Sequence, residues 1–165
     1  MDAVLLSRIQ FGLTAGFHFL YPPLTLGLTL IIVMLETLHL AKKEDMYRML
    51  SSFLVKILGL VFVMGVATGI VMEFQFGTNW SQYSRLVGDI FGAPLAAEAI
   101  FSFFMESAFL GVLIFGREKV SARFYWLSAF LVFFASHLSG FWIIAANSWM
   151  QTPAGFDKIM VDGAL

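Results

Sequence analysis

The sequence predicts an all-α membrane protein: four transmembrane helices forming part of a larger polytopic helical bundle. Composition is the first sign. Hydrophobic residues make up 59% of the chain and charged residues 13%, whereas a globular domain uses about 25% charged residues to cover its core. The mean hydropathy is +0.85. Second, the apolar residues gather into stretches over 11–35, 53–72, 92–115 and 124–148, each near the ~20 residues that cross a hydrocarbon core. Third, no ~10-residue run alternates apolar with polar as a membrane barrel strand would. A backbone in lipid must satisfy its own hydrogen bonds, so the stretches are helices.

The first stretch, 11–35, contains His18 and the pair Pro22–Pro23, where a kink is expected because proline removes a backbone donor. It is too long for a signal-peptide core, is preceded only by Arg8 and is followed by no small-residue cleavage site, so it reads as a retained span. The second, 53–72, begins around Lys56, which reads as snorkelling to an interface. The third, 92–115, contains Glu98 and Glu106, and the fourth, 124–148, contains His137. The tail over 152–165 turns polar without closing a domain, so residues 1–151 are expected to be one helical segment of something longer.

Lys42, Lys43, Arg48 and Lys56 follow the first span, and Arg117, Lys119 and Arg123 follow the third. The positive-inside rule assigns both segments to the cytoplasm, so the N-terminus, a loop over 73–89 and the tail face outward. His18 and Glu98 then lie near the outer face, with Glu106 about 12 Å deeper than Glu98. A net charge of -1 excludes a strongly basic nucleic-acid binder, and the absence of cysteine excludes disulfides, thiolate metal sites and covalent haem attachment.

Ionisable groups inside a span are costly and are functional candidates by default. Glu98 and Glu106 lie eight residues apart, two helical turns plus about 80°, with Ser102 between them and Ser107 beside the deeper one. The pair could ligate haem or a metal, relay protons, or stay protonated and merely fix packing. His18 could be an axial haem ligand whose ring is held by a second acceptor, though a lone histidine in an apolar helix is more often a packing residue. His137 reads as structural or as part of a polar seam, and His39, beside Glu36, as interfacial. Arg8 could balance a propionate or carboxylate or snorkel to headgroups. Met34, Met64, Met72 and Met105 read as filler, and the four tryptophans as an aromatic belt.

Several collinear blocks go further than residue types can. SRIQFGLT over Ser7–Thr14, FHFLYPPLTLG around His18, GVATGIVMEFQFGTN over Gly65–Asn79 with Trp80, GDIFGAPLAAEA over Gly88–Ala99, FMESAFLG over Phe104–Gly111 and ANSWMQTP ending at Pro153 closely resemble subunit I of the cytochrome bd family of quinol oxidases. The resemblance implies a respiratory terminal oxidase that takes electrons from a membrane quinol and reduces dioxygen to water, assembled with a subunit II in a bacterial or archaeal cytoplasmic (inner) membrane. It implies that His18 is the axial iron ligand of a high-spin haem, b595 or d, with b595 the preferred reading. Glu98 then belongs to the haem d and b595 site, Glu106 to the proton pathway feeding it, Ser107 and Ser139 to hydroxyls on that pathway, and Arg8 to the edge of the haem pocket. The ligands of the family's low-spin haem b558 and its quinol loop are expected beyond this segment, so the segment alone should not oxidise quinol. The rival from another class is a transporter or proton-conducting subunit that uses Glu98 and Glu106 without haem. A structural subunit whose buried polar groups only fix helix packing is the other.

Overall fold

The computed structural model describes residues 2–152, so the expected polar tail lies, beyond Thr152, outside the described residues. The elements are α1 (Ala3–His18), α2 (Tyr21–Lys42), α3 (Asp45–Gly77), α4 (Ser81–Glu98), a π-helical turn (Ala99–Phe103), α5 (Phe104–Phe115) and α6 (Ala122–Gln151). No strand occurs among the described residues. Among the described residues, four runs are long and apolar enough to cross a membrane: Ala3–Lys42, Asp45–Gly77, Ser81–Phe115 and Ala122–Gln151. The all-α membrane architecture therefore holds.

The kink expected at the proline pair is a complete break. The last bonds of α1 run from the Phe19 N–H to the Ala15 carbonyl at 2.9 Å and from Leu20 to Phe17 at 3.3 Å. Then α2 starts at Tyr21 with Pro22 and Pro23 in its first turn, where a missing N–H costs nothing because no intrahelical acceptor waits for it. At its other end α2 closes on Lys43, which adopts a left-handed conformation (φ 57°) and donates its N–H to the His39 carbonyl at 2.8 Å.

The loop expected over 73–89 is corrected to a short turn at 78–80 between α3 and α4. A helix already nucleated in lipid extends through polar residues at low cost, and local contacts close the turn. The Ser84 hydroxyl donates to the Phe76 carbonyl at 2.7 Å, and the Trp80 ring packs on Phe11, Phe76 and Tyr83 at 4.3, 5.6 and 5.3 Å. At 33 residues, α3 is about 50 Å long and overreaches a hydrocarbon core of about 30 Å. Its polar ends, from Asp45 to Arg48 and from Glu73 to Gln75, supply the excess.

α2 packs against α3 and α6, α5 packs against α6, α1 lies along α3, and α4 touches both α3 and α6. The apolar core is built from Ile32, Val55, Leu58, Leu110, Leu113, Tyr125, Ala129 and Val132. These residues belong to the half of the bundle nearer the Lys42 end. α1 contributes no buried residue and α4 only Val87. The half that carries His18 and Glu98 is thus not filled by that core, while large apolar side chains such as Leu13, Phe19, Phe74 and Phe104 stand exposed on the outside. Outward apolar surface of that kind is what lipid or further helices cover.

Candidate functional site

His18 ends α1 and faces α3. Its Nδ1 lies 2.9 Å from the Thr68 hydroxyl, and that hydroxyl donates onward to the Met64 carbonyl at 2.8 Å. The same hydroxyl reaches the Gly65 carbonyl at 3.1 Å, and with its hydrogen on either carbonyl it accepts from a ring protonated at Nδ1, the tautomer that puts the lone pair on Nε2. The ring lies against a glycine: a Cβ at Gly69 would stand 3.3 Å from the His18 Cε1. Thr68 and Gly69 together fix the plane and tautomer of a half-buried imidazole, which is how histidine ligands to a metal are normally held. Spacing within one helix could not reveal Thr68, because it lies 50 residues away.

Glu98 and Glu106 both face α6. The Ser139 hydroxyl donates to the Glu98 carboxylate at 2.5 Å, and Ser136 and Glu98 both interact with the buried Glu106 carboxyl. The π turn between the acids makes this shared face possible. In a regular α-helix residue i+8 falls about 80° off the line of residue i. Counting about 4.3 residues per turn for i→i+5 bonding, by extension from 3.0 for i→i+3 and 3.6 for i→i+4, a five-residue π turn removes about 80°. The offset read from the sequence is therefore corrected to roughly zero, and Ser102, midway and 1% exposed, falls on the same line. Pro94 sits one turn before Glu98 inside α4 and cannot donate to the Ile90 carbonyl, a second irregularity beside the acids.

Other expected residues sit apart. The Ser107 hydroxyl donates to the Phe104 carbonyl of its own helix at 3.1 Å, so its described bond does not go to the Glu106 carboxyl one residue before it. Arg8 lies within α1, not outside it, and lines a groove with Ser7, Phe11, Asn79 and Trp80. Ten residues separate it from His18, about 15 Å of helix, and no carboxylate pairs with it among the described residues. Helix starts at Ala3 and Ser81 also set His18 and Glu98 farther from the chain-start end than the apolar stretches indicated. The described contacts of His18 are with α3 and those of Glu98 with α6. The His137 ring donates from Nδ1 to the Phe133 carbonyl at 2.8 Å and packs on the Phe133 ring at 4.1 Å, as a packing residue does.

A second polar cluster was not legible in the sequence. Glu36, 1% exposed, pairs with Arg117 at 2.6 Å, and the same guanidinium donates to Ser51 at 3.0 Å. It lies over the Tyr125 ring at 3.7 Å, whose hydroxyl donates to the Leu113 carbonyl at 2.8 Å. This ties α2, α3, α5 and α6 together at the Lys42 end, far along the bundle from the acids. Among the described residues, no group of three or more acidic and histidine side chains forms a metal cage.

Comparison with known proteins gives a consistent result. The family model described as cytochrome bd terminal oxidase subunit I matches residues 6–163. The chain is 51% identical over 154 residues to the cytochrome bd-II ubiquinol oxidase subunit 1 of Escherichia coli (strain K12), covering 93% of this chain and 30% of that protein. It is 49% identical over 156 residues to the cytochrome bd ubiquinol oxidase subunit 1 of Bacillus subtilis (strain 168), covering 94% of this chain and 33% of that one. Among solved structures, the bd oxidase from Geobacillus thermodenitrificans superimposes with a TM-score of 0.84 at 30% identity, over 93% of this chain and 36% of the other. The chain spans about a third of the length of the curated relatives it matches.

Proposed function

The chain belongs to the family of cytochrome bd terminal oxidase subunit I, and from that membership we propose that it forms the haem-ligating and proton-delivering segment of a respiratory quinol:oxygen oxidoreductase. The observation that carries the proposal is the imidazole of His18 held at the end of α1, with Nδ1 on the Thr68 hydroxyl at 2.9 Å. A neutral imidazole in that state fits an axial position on haem iron, and Gly69 leaves the ring its place. The half of the bundle that the apolar core does not reach suits a flat macrocycle, so the residues present fit the group. In this reading His18 would hold haem b595, and Glu98 would belong to the site of haems b595 and d. Haem b558 and the quinol loop belong to further parts of the full-length subunit. Iron in the porphyrin supplies oxygen binding and electron transfer when bound.

The chain's own residues supply ligation and protons. Thr68 holds the imidazole so that Nε2, not Nδ1, is presented. Glu106, on the side of the helix toward the basic end, takes up a proton. Glu98 receives it, with Ser139 orienting the receiving carboxyl through its 2.5 Å hydrogen bond. Ser107 and Arg8 keep the roles the family resemblance implies, as a hydroxyl near the pathway and a cation near the pocket's edge. The complex would include a subunit II, take quinol and dioxygen as substrates, and lie in a bacterial or archaeal cytoplasmic membrane. With Lys42, Arg48, Arg117 and Arg123 inward, the N-terminus lies outside. Absorption spectroscopy and oxygen consumption of the complete oxidase test this together. Glu106→Gln is expected to keep the haem bands and slow oxygen consumption. A variant with unchanged consumption would remove Glu106 from the proton path, and a complex without haem bands would favour the transporter reading.

A further inference from the structure

Hydroxyls in these helices have a common habit. Thr14, Thr29, Thr37, Ser128 and Ser136 each donate to the carbonyl four residues back, at 2.6–2.9 Å. Ser102 does not. Its Oγ is buried and has no hydrogen-bond partner, although the residue is 1% exposed. The reason is its position in the π turn over Ala99–Phe103, where i→i+5 bonding displaces the carbonyl that a helical serine would use. A buried hydroxyl left this way costs about 1–3 kcal/mol, so it is expected to have a partner of its own.

The π turn packs against α6, and by the turn count above Ser102 falls between Glu98 and Glu106, which meet Ser139 and Ser136 of α6. Each four-residue step is about 6 Å along the axis, close to the reach of one water making two hydrogen bonds of about 2.8 Å. We propose that Ser102 anchors a two-water chain through the π turn, one water between Ser102 and Glu106 and one between Ser102 and Glu98, and so is a positioning residue for proton transfer between the two acids. Each water has a carboxyl and the Ser102 hydroxyl to bond, and because the Oγ is closed off in this packing the chain forms when the side chains around it move apart by a water's width. Transfer balances without any electron moving. The Glu106 O–H breaks as the first water gains a proton, each member of the chain passes one on, Ser102 gives one as it receives one, and the Glu98 carboxylate ends protonated. The inference rests on the proton-path reading of Glu98 and Glu106.

The test uses the complete oxidase with its full-length subunit. Ser102→Ala and Ser102→Val remove the hydroxyl, whereas Ser102→Thr restores it with nearly the shape of valine. Ser102→Gly, which adds no bulk, replaces any variant whose haem absorption shows failed assembly. With haem bands unchanged, Ala and Val are expected to slow oxygen consumption about fivefold, the factor associated with one neutral hydrogen bond, and Thr to recover most of it. A map resolving ordered water within hydrogen-bonding distance of the Ser102 Oγ would agree. Wild-type rates in both Ala and Val, alongside a slow Glu106→Gln, overturn the water chain and leave the proton path standing. A wild-type rate in Glu106→Gln overturns the path and the inference with it.

Discussion

Replacing Arg117 by methionine should destabilise this segment more than any change to its surface charges. The guanidinium serves a carboxylate that is 2% exposed at the side chain, at 2.6 Å, while its own side chain is 17% exposed. It also donates to the fully buried Ser51 and covers the Tyr125 ring. Arg117→Met leaves the Glu36 carboxylate with neither counter-charge nor water, and removal of one partner of a buried pair costs about 3–5 kcal/mol. The Arg48–Glu118 pair is the internal control. Its side chains are 39% and 78% exposed, so Glu118→Gln should cost at most about 1 kcal/mol. The double variant Glu36→Gln with Arg117→Met removes the stranded charge and should recover part of the loss, because the penalty comes largely from the uncompensated carboxylate. Thermal unfolding of the detergent-solubilised full-length complex, followed by aggregation or loss of haem absorption, ranks the variants. The predicted order of stability is Glu118→Gln near wild type, then the double variant, then Arg117→Met. Equal midpoints for Arg117→Met and Glu118→Gln, or a double variant less stable than Arg117→Met, would refute the reasoning.

Three further outcomes follow from the geometry around the site. Thr68→Val removes the acceptor for His18 Nδ1 and should reduce haem occupancy by about tenfold or more at limiting haem, measured as haem per protein, with Thr68→Ser close to wild type. Gly69→Ala places a methyl 3.3 Å from the His18 Cε1. It should shift the high-spin haem absorption, whereas an unchanged spectrum would mean the ring has room to spare. Ser139→Ala removes the hydroxyl that donates to Glu98 and should slow oxygen consumption by about ten- to a hundredfold without altering haem content, the size expected for a hydrogen bond to a charged group.

The architecture was readable because lipid leaves few choices: a span must be about 20 apolar residues and must be helical. Pro22 and Pro23 marked the break in the first run, because a missing N–H acts locally. His18, Glu98 and Glu106 stood out as ionisable groups in apolar surroundings, and residue type alone picks those out. Helix ends were misplaced where polar residues such as Glu73, Gln75 and Asp89 stay helical beyond the apolar core. The π turn was invisible, since nothing in AIFSF departs from an ordinary apolar helix, and so the alignment of the two acids was missed. Long-range partners were equally hidden. Arg117 reads as one more basic loop residue until α2 brings Glu36 to it across 81 residues of sequence. Thr68 reads as a neutral helix residue until α1 delivers His18.

The most direct measurement is a high-resolution electron cryomicroscopy map of the complete oxidase carrying the full-length subunit. Density should show the Nε2 of His18 bonded to porphyrin iron, its Nδ1 still on the Thr68 hydroxyl, and the macrocycle beside α1 and α4. Side chains or acyl tails packed against a His18 that binds no iron would contradict the account.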